Sequence, residues 1–409
     1  MLPRTRFPFF SGDYTEKFLH EAVLELKSGL SRMFSDSDIG LPVIRSNNIK
    51  DYCLDFNDLK YWFEEDTQGA KTSNYHLRDG DILVNFINSQ AQIGKSAIYQ
   101  NALNRDCIYT TNILSLRINK EYSSRFIFFF FQTKKYNDFI QSITKPAINQ
   151  ASFTTKDFRK MKIFFPDFTE QTKIADFLSS VDERITLLNK QYERLNHYKK
   201  GLLQKVFSQR FKFKDKNGKD FPEWIRTSLE KVSDVRDGTH SSPIAQLEGY
   251  PLITSKNLIG SRGIDFDNIT YISKKDYDEI NKRSLVSEGD LLFSMIGTIG
   301  NLALVNDTGF AIKNVGLIKE LSKLKNEFLF FYLQFLVGSG YFELIKSGNT
   351  QKFISLSTLR KLEVPCPIIN EQIIITNFFH LIDEKIAVKK TELDKLKTWK
   401  QGLLQQMFV

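Results

Sequence analysis

The sequence predicts an α+β fold in which two similar, mostly β domains are separated by two long helices that pair as an antiparallel coiled coil, with pseudo-twofold symmetry. Two observations lead to this prediction. The chain contains a tandem duplication with a repeat of about 200 residues, and the last part of each copy carries a regular stripe of apolar residues. The predicted boundaries are residues 1–168 and 210–369 for the domains and residues 169–209 and 370–409 for the helices.

The duplication is visible in paired segments. GLPVIRSNNI at residues 40–49 matches GYPLITSKNL at residues 249–258, and GLLQ occurs at residues 201–204 and again at residues 402–405. A repeat of about 200 residues is too long for a solenoid unit. It indicates two similar domains, each followed by a similar appendage.

The first part of each copy consists of short apolar runs broken by turn residues, which is typical of a mostly β domain. Buried strands are predicted at residues 41–44, 82–86 and 291–295. Residues 124–132 and 326–334 also correspond, and each begins with a plausible cap followed by bulky apolar residues. We predict a short helix in the core of each domain rather than an aromatic surface site.

The last part of each copy has the spacing of a coiled-coil seam. The first stripe is Ile174, Leu178, Val181, Ile185, Leu188, Tyr192, Leu195, Lys199, Leu202 and Val206, and the second is Ile375, Phe379, Ile382, Ile386, Lys389, Leu393, Leu396, Lys400, Leu403 and Met407. Thr169 and Asn370 stand where N-caps are expected. Each helix would be a rod of roughly 50 Å with a stripe that needs an apolar partner, and the other helix is the obvious one.

Composition limits the class of protein. With 409 residues, 41% of them hydrophobic, the chain can bury a core, and a net charge of +9 favours a polyanionic partner. Cys53, Cys107 and Cys366 are far apart and form no CxxC motif, so neither a disulfide framework nor a zinc site is supported. We find no secretory signal, and the apolar run at residues 126–131 is too short to span a bilayer, so we expect a cytoplasmic protein.

Three motifs that could suggest catalysis have simpler interpretations. Gly94-Lys95-Ser96 lacks the earlier glycine of a phosphate-binding loop, because position 89 is serine. DGTH at residues 237–240 is interpreted as a turn or a DNA-facing loop. The adjacent acids at 182–183 and 383–384 do not share a helix face, so we expect them on a solvated or partner-facing surface.

A molecule with two similar heads held apart by a stiff spacer suits DNA with two half-sites. Bases are read by polar and basic side chains on loops, and such loops follow an apolar strand in each copy and precede each long helix. The same residues could equally well make turns. The candidate DNA contacts are Arg45, Ser46, Asn47, Asn48, Lys145, Asn149, Gln150, Thr239, His240, Thr254, Ser255, Lys256, Asn257, Asn349, Thr350, Gln351 and Lys352.

The sequence resembles the specificity subunits of type I restriction-modification systems over nearly its whole length. The resemblance rests on DGTHSSP at residues 237–243 followed by GYPLIT, on a Gly-Asp-plus-apolar strand in both copies, and on Pro166 and Pro367, each followed by Glu-Gln, a helix and GLLQ. In the first copy LKSGLS at residues 26–31 stands where the second has DGTH, and about three extra residues follow Asn85. The two domains are therefore expected to read different bases.

The resemblance implies two target-recognition domains that each read one part of a split, asymmetric DNA sequence. It also implies helices that act as a ruler and dock two methyltransferase subunits, with restriction subunits in the full complex. S-adenosylmethionine, ATP and Mg would be used by those partners, and this chain would not be catalytic. A different hypothesis is a coiled-coil scaffold whose heads bind protein or glycan. A self-contained nuclease or methyltransferase is disfavoured, because the sequence has no glycine-rich cofactor loop after a strand and no adenine-methylation motif.

Overall fold

The computed structural model describes residues 2–146, 150–260, 263–347 and 352–409, and it divides into two compact units. Unit 1 comprises Met1–Asn189 and Thr391–Val409, and unit 2 comprises Lys190–Lys390. Each unit therefore contains one β-rich domain, part of one long helix and part of the other.

The elements of the first copy follow in chain order. They are β1 (Thr15–Phe18), α1 (Leu19–Ala22), β2 (Val23–Ser28), β3 (Leu41–Ile44), β4 (Ile49–Lys50), β5 (Cys53–Leu54), β6 (Lys60–Trp62), β7 (Ile82–Asn85), β8 (Ile87–Asn88), β9 (Ser96–Ile98), β10 (Ile108–Tyr109), β11 (Ile113–Ile118), α2 (Ser124–Phe130), α3 (Lys134–Ile143), β12 (Lys145–Pro146), β13 (Ala151–Ser152), α4 (Thr155–Phe158), β14 (Lys162–Phe165) and α5 (Phe168–Phe207).

The second copy continues in the same way. Its elements are β15 (Ile225–Ser228), β16 (Ser233–Asp237), β17 (Tyr250–Thr254), β18 (Thr270–Ile272), α6 (Lys274–Ser284), β19 (Leu291–Ser294), β20 (Leu302–Leu304), β21 (Ala311–Lys313), β22 (Val315–Glu320), α7 (Asn326–Gly338), α8 (Tyr341–Ile345), α9 (Leu356–Arg360), β23 (Glu363–Cys366) and α10 (Ile369–Met407).

The sheets of the two domains have matching topology. A four-stranded antiparallel sheet has the order β2-β11-β7-β9 in unit 1 and β16-β22-β19-β20 in unit 2. A three-stranded sheet has the order β10-β3-β6 in unit 1 and β18-β17-β21 in unit 2. One pair in each sheet is parallel, β3 with β10 in unit 1 and β17 with β21 in unit 2. The prediction of two similar, mostly β domains is confirmed. The parallel pairs matter for the site, because parallel strands end at the same edge of a sheet.

A short helix fills the core of each domain, as the sequence predicts. In α2 every residue from Phe126 to Phe130 is buried, and the Ser123 hydroxyl caps the helix by accepting a hydrogen bond from the Phe126 amide. In α7 the buried face includes Phe328 and Phe331. These aromatic side chains pack against the strands and the long helices of the same unit.

The long helices α5 and α10 have 40 and 39 residues, and within each unit they run in opposite directions. In unit 1 the buried residues at the start of α5 lie in one core cluster with those at the end of α10. In unit 2 Tyr192 contacts Lys390, and further along α5 Lys199 contacts Asp383, which is earlier on α10. The apolar stripes are buried as expected, and the prediction of an antiparallel pair is confirmed.

The predicted N-caps of the long helices are wrong. α5 begins at Phe168, and the Asp167 carboxylate accepts a hydrogen bond from the Glu170 amide at 2.9 Å. In α10 the amide of Glu371 donates to the Ile368 carbonyl at 3.0 Å. Thr169 and Asn370 therefore lie inside the first turn. The sequence reasoning placed each cap too late, because it did not consider the residues between the preceding proline and the helix.

The repeated Glu-Gln pair has a structural role in each helix start. The side chain of Gln171 donates to the Pro166 carbonyl at 2.9 Å and accepts from the Ser123 amide at 3.0 Å. The side chain of Gln372 likewise donates to the Pro367 carbonyl at 2.8 Å and accepts from the amide of Lys325 at 2.8 Å. Each buried glutamine thus fastens the start of a long helix to the start of a core helix.

The glutamates of the same pairs differ between the units. Glu170 is buried and accepts hydrogen bonds from Arg6 at 2.7 and 2.8 Å and from the Tyr14 hydroxyl at 3.1 Å. Glu371 is also buried, but its Oε2 has no hydrogen-bond partner within the described chain. Burial raises the pKa of Glu371, and neighbouring Trp224 and Lys212 offset only part of that effect.

A buried lysine joins three elements in each unit. Lys199 Nζ lies 2.6 Å from Asp383 on α10 and 2.9 Å from the side-chain oxygen of Gln334 on α7. In unit 1 Lys400 Nζ lies 2.6 Å from Asp182 on α5 and 2.8 Å from the side-chain oxygen of Gln132 next to α2. The acid pairs at 182–183 and 383–384 were predicted to face solvent or a partner. Glu183 and Glu384 are exposed, but the prediction is corrected for Asp182 and Asp383, each of which is the ion-pair partner of a buried lysine. The sequence did not reveal it, because the lysine comes from the other helix.

The two glutamates should respond to removal of charge in opposite ways. Glu170→Gln should destabilise the protein by about 2 kcal/mol at neutral pH, because Arg6 loses a buried carboxylate. Glu371→Gln should leave stability unchanged or raise it at neutral pH. Because the pKa of Glu371 is raised in the folded state, its protonated form stabilises the fold at low pH, and that contribution is lost as the pH rises above the usual carboxyl range. Glutamine has no proton to lose and therefore avoids this loss. Thermal unfolding of both variants and the wild type, measured at intervals of about one pH unit between pH 4 and pH 8, gives the stability difference at each pH. Equal destabilisation by both would contradict it.

Removing the lysine alone from the group formed by Lys400, Asp182 and Gln132 should destabilise the protein more than replacing all three side chains with apolar ones. Lys400→Met leaves Asp182 and Gln132 without their shared cation, and we expect a loss of about 2 kcal/mol in the free energy of unfolding, since Asp182 is partly exposed. The triple variant Lys400→Met, Asp182→Leu, Gln132→Met should regain most of that loss, because an apolar replacement leaves no buried charge unpaired. Urea unfolding of both variants measures the difference. A triple variant less stable than the single one would refute the interpretation.

Candidate nucleic-acid interface

A buried asparagine shapes the loop that follows β3 in unit 1. The side-chain oxygen of Asn48 accepts from the Arg45 amide at 2.8 Å, and its Nδ2 donates to the carbonyls of Asp55 and Asp58, both at 2.9 Å. Only 1% of Asn48 is exposed. One amide group thereby satisfies three main-chain groups of the loop.

The loop after β17 in unit 2 is built in the same way. The side-chain oxygen of Asn257 accepts from the Thr254 amide at 3.0 Å, and its Nδ2 donates to the carbonyls of Asp265 at 3.3 Å and Asn268 at 3.0 Å. Asn257 is 5% exposed. Both asparagines, which were predicted to contact DNA, therefore use their side-chain amides to hold the loop from inside, although Asn257 also lines the cleft described below.

The remaining residues of the first loop lie at the surface beside a residue that the sequence reasoning missed. The guanidinium of Arg45 pairs with the Asp58 carboxylate at 3.0 Å, and Asn47 Nδ2 donates to the same oxygen at 3.0 Å. Asp58 is 66% exposed and Arg45 is 24% exposed. Ser46 lies half-buried between them, and its carbonyl is 3.4 Å from Nδ2 of Asn85 at the end of β7.

In unit 2 the corresponding loop lines an open cleft of about 420 Å³. The polar residues of the cleft wall are Thr254, Ser255, Lys256, Asn257, Asn268, Thr270, Lys313 and Asn314. β17 and β21 are parallel and pair Thr254 with Lys313, so the residues that follow both strands meet at one edge. The hydroxyl of Ser255 donates to the Asn314 carbonyl at 3.2 Å across this edge. Sequence reasoning found Thr254–Lys256 but missed Lys313 and Asn314, whose only signal is two polar residues after a short apolar run.

His240 and Thr239 lie beside this cleft. The ring of His240 is exposed and lies 2.8 Å from the side-chain oxygen of Asn314 and 2.9 Å from the carboxylate of Asp237. Asp237 is buried and also forms an ion pair with Arg283. Within the described residues no nucleophilic hydroxyl or thiol is hydrogen-bonded to His240. The arrangement therefore fits the interpretation of DGTH as a loop that holds its side chains in place.

The glycine of this segment is required by a close main-chain approach in both units. A Cβ atom on Gly238 would lie 2.2 Å from the carbonyl oxygen of Ile312, and one on Gly29 would lie 2.1 Å from that of Tyr109. The segment LKSGLS of unit 1 thus keeps the glycine of DGTH while it lacks the aspartate and the histidine. The two copies share the turn and differ in the side chains it presents.

The second predicted region forms a hairpin next to the first. In unit 1 β12 pairs with β13, which pairs with β8, and Lys145 and Gln150 are exposed. In unit 2 Phe353 forms bridges with Ser347 and with Ile296, which also lines the cleft, and Lys352 is exposed. The structure therefore brings the two predicted regions side by side in unit 2. The candidates Asn149, Asn349, Thr350 and Gln351 lie outside the described residues.

The two sites differ in charge. Around the first loop Arg45 pairs with Asp58 and Lys50 pairs with Asp55. Around the second, Lys256 and Lys352 form no ion pair with any residue that the structure describes, and Lys313 donates to the Ser242 hydroxyl at 2.6 Å. The loop after β17 thus presents a free cation, Lys256, which suits phosphates, whereas the loop after β3 presents a neutralised pair. In the neighbouring hairpins, Lys145 of unit 1 and Lys352 of unit 2 are both exposed and form no ion pair within the described residues.

Comparison with known proteins identifies the family. Residues 38–197 and 209–398 match the profile of the type I restriction modification DNA specificity domain. The chain belongs to the type I restriction-modification specificity-subunit family. The two matched segments cover more than half of the chain, one in each copy of the duplication. The predicted resemblance is confirmed, and the scaffold hypothesis is not favoured.

Individual relatives agree with this assignment. A putative type I restriction enzyme MjaX specificity subunit from Methanocaldococcus jannaschii is 28% identical over 407 residues, which span 96% of this specificity subunit and 92% of the relative. The crystal structure of a type I restriction-modification S subunit from M. genitalium has a similar fold, with a TM-score of 0.60, 14% identity and coverage of 100% and 99% of the two chains. A structure from work on complex assembly and conformational transition of the type I R-M system gives a TM-score of 0.57 at 18% identity, with 99% coverage of both chains.

Two features of the described residues bear on other functions. None of the helices there has the length and hydrophobicity needed to cross a bilayer. The same residues contain no group of three or more His, Cys, Asp or Glu side chains arranged to hold a metal ion.

The buried asparagines should matter for stability and their exposed neighbours should not. Asn48→Ala leaves three main-chain groups of the loop without a partner, and we expect a loss of about 2–3 kcal/mol in the free energy of unfolding. Asn47→Ala, one position earlier at the surface, should change it by less than about 0.5 kcal/mol. Urea unfolding of the two variants measures the contrast. Comparable losses would show that the buried amide is not what holds the loop.

Proposed function

We propose that this specificity subunit chooses the DNA sites at which partner subunits methylate and cleave, and that each unit reads one half of a split, asymmetric sequence. One observation carries the proposal. Both units build the same loop around a buried asparagine, and the two loops present different side chains. A repeated reader with two different surfaces suits a target with two different half-sites.

Direct contact with DNA is supported by the chemistry of the exposed residues. Base edges are read by Arg, Lys, Asn, Gln, Ser and Thr side chains, and basic side chains neutralise phosphates. The candidates that lie at least partly at the surface are Arg45, Ser46, Asn47, Lys145, Gln150, Thr239, His240, Thr254, Ser255, Lys256 and Lys352. Lys313 and Asn314 join them in unit 2, since they line the same cleft.

The chemistry of methylation and cleavage is assigned to other chains. The sequence has no Asn-Pro-Pro-aromatic or Asp-Pro-Pro-aromatic motif for adenine methylation. We therefore assign S-adenosylmethionine to methyltransferase subunits, and ATP and Mg to restriction subunits, with this chain non-catalytic and acting in the cytoplasm. The duplicated helices offer two equivalent surfaces, which supports two methyltransferase subunits for each specificity subunit.

The methylation pattern of host DNA tests the proposal. With the gene present, modified adenines should lie in one bipartite sequence, and deletion of the gene should abolish modification at that sequence while other methylation persists. Reintroduction of the intact gene should restore the same sequence. A pattern that is unchanged by deletion, or modified adenines in a single continuous motif, would contradict the assignment of two half-sites to two units.

A further inference from the structure

Three positions correspond between the units, and we name them the display positions: two through the contacts of the buried asparagine, and one because it directly precedes that asparagine in the sequence. They are Arg45, Asn47 and Asp58 in unit 1 and Thr254, Lys256 and Asn268 in unit 2. Asn48 binds the amide of the first and the carbonyl of the third in unit 1, and Asn257 makes the same two contacts in unit 2. At the third position Asp58 of unit 1 corresponds to Asn268 of unit 2, although the segment between the buried asparagine and this position is one residue longer in unit 2.

The loop is held through main-chain atoms at the display positions. Asn48 accepts from the amide nitrogen of Arg45 and donates to the carbonyl oxygen of Asp58, so neither side chain is needed for these bonds. The equivalent bonds of Asn257 use the amide of Thr254 and the carbonyl of Asn268. Two side chains add to this frame, since the Thr254 hydroxyl donates to Asn257 at 2.9 Å and Arg45 Nη2 donates to the Asp58 carbonyl at 3.1 Å. The main-chain bonds of the asparagine nevertheless remain when side chains at the display positions change.

In unit 1 the display positions form a fixed array of donors and acceptors. The Asp58 carboxylate holds Arg45 Nη2 at 3.0 Å and Asn47 Nδ2 at 3.0 Å, yet it remains largely exposed. Arg45 Nη1 has no hydrogen-bond partner among the residues that the structure describes. A carboxylate repels phosphates and accepts only from donors, so on DNA it suits the exocyclic amino group of a base, while the free guanidinium nitrogen suits a base acceptor.

In unit 2 the same positions have a different chemistry. Thr254, Lys256 and Asn268 line one cleft together with Lys313, and this set contains cations and neutral polar groups but no carboxylate side chain. The amide of Asn268 donates one N–H to the Asp265 carboxylate at 3.2 Å and retains a second N–H and its oxygen, and the ammonium of Lys256 is a mobile donor. The two units would therefore form different hydrogen bonds to bases from the same loop geometry.

We propose that the six display positions determine which bases each half-site contains, with Asp58 and Asn268 as the matched pair that most separates the two specificities. This inference rests on the proposed function. Asp58 accepts from a base amino group and fixes Arg45 beside it, and Asn268 with Lys256 presents a different pattern to the other half-site. The difference between the half-sites would thus come from side chains that the buried asparagine does not need for its main-chain bonds.

A graft within unit 1 tests the proposal in the complex with methyltransferase subunits. The variant Arg45→Thr, Asn47→Lys, Asp58→Asn gives unit 1 the display residues of unit 2 and changes the net charge by one positive unit. Glu121→Gln makes the same charge change at an exposed position outside the site and serves as the matched control. The readouts are the methylated sequence in host DNA and the duplexes that the purified complex selects from a randomised library.

The graft should change the preferred base at one or more positions of one half-site, with about a tenfold or greater loss of preference for the original base. The other half-site and the spacing should not change, and Glu121→Gln should keep the wild-type sequence. The reciprocal graft, Thr254→Arg, Lys256→Asn, Asn268→Asp, should change the other half-site instead.

Other results separate this inference from the function on which it rests. If both grafts and the single variant Asp58→Asn modify DNA at the unchanged wild-type sequence, the display positions do not set specificity, and the inference is overturned while the proposed function stands. If the wild-type complex selects no sequence, the proposed function fails first. If a graft abolishes modification, Asp58→Asn decides the matter, because it keeps every main-chain bond of the loop. A changed base then supports the inference, and the wild-type sequence refutes it.

Discussion

Burial of the apolar stripe on each long helix is the constraint on which both units depend. In each unit the stripe packs against the other helix and against the core helix of the β-rich domain, so three elements share one core. The buried lysines Lys199 and Lys400 fix the register of this packing. Each ammonium meets an aspartate of the other helix and a glutamine beside the core helix, and a shift of register would leave a buried charge unpaired. Apolar contact supplies the stability of the core, whereas these lysines specify its alignment.

The duplication has kept those polar side chains that bind main-chain groups. Gln171 and Gln372 fasten helix starts, Asn48 and Asn257 shape the loops, and each makes equivalent bonds in its unit. A buried amide without its partners would cost more than the bond contributes, so substitution at these positions is expected to destabilise the fold. The surface residues beside them carry no such constraint. The two copies therefore have the same fold and different surfaces.

Sequence reasoning recovered the fold because its signals are local or repeated. The stripe of α5 and its twin in α10, the apolar strands and the two core helices all follow from spacing that can be read along the chain. The site was recovered only in part. Thr254 and Lys256 could be found beside an apolar strand, but Lys313 comes from a strand that pairs in parallel from far along the chain. Spacing also could not show that Asn48 points inward while Asn47 points outward, since both are asparagines in one short turn.

The asymmetry between the units extends below the surface. Glu170 has Arg6 as a buried partner, which comes from a segment before the first strand, whereas Glu371 keeps an oxygen without a hydrogen-bond partner within the described chain. Arg45 is likewise neutralised by Asp58, while Lys256 faces an open cleft without an ion-pair partner in the described structure. In both cases the group in unit 1 has an ion-pair partner, whereas the group compared with it in unit 2 has none among the described residues. Free cations attract phosphates at long range and lose that attraction in salt, whereas a paired arginine acts only at contact distance. Contacts that Lys256 makes with a polyanion would therefore depend more on ionic strength than contacts made by Arg45.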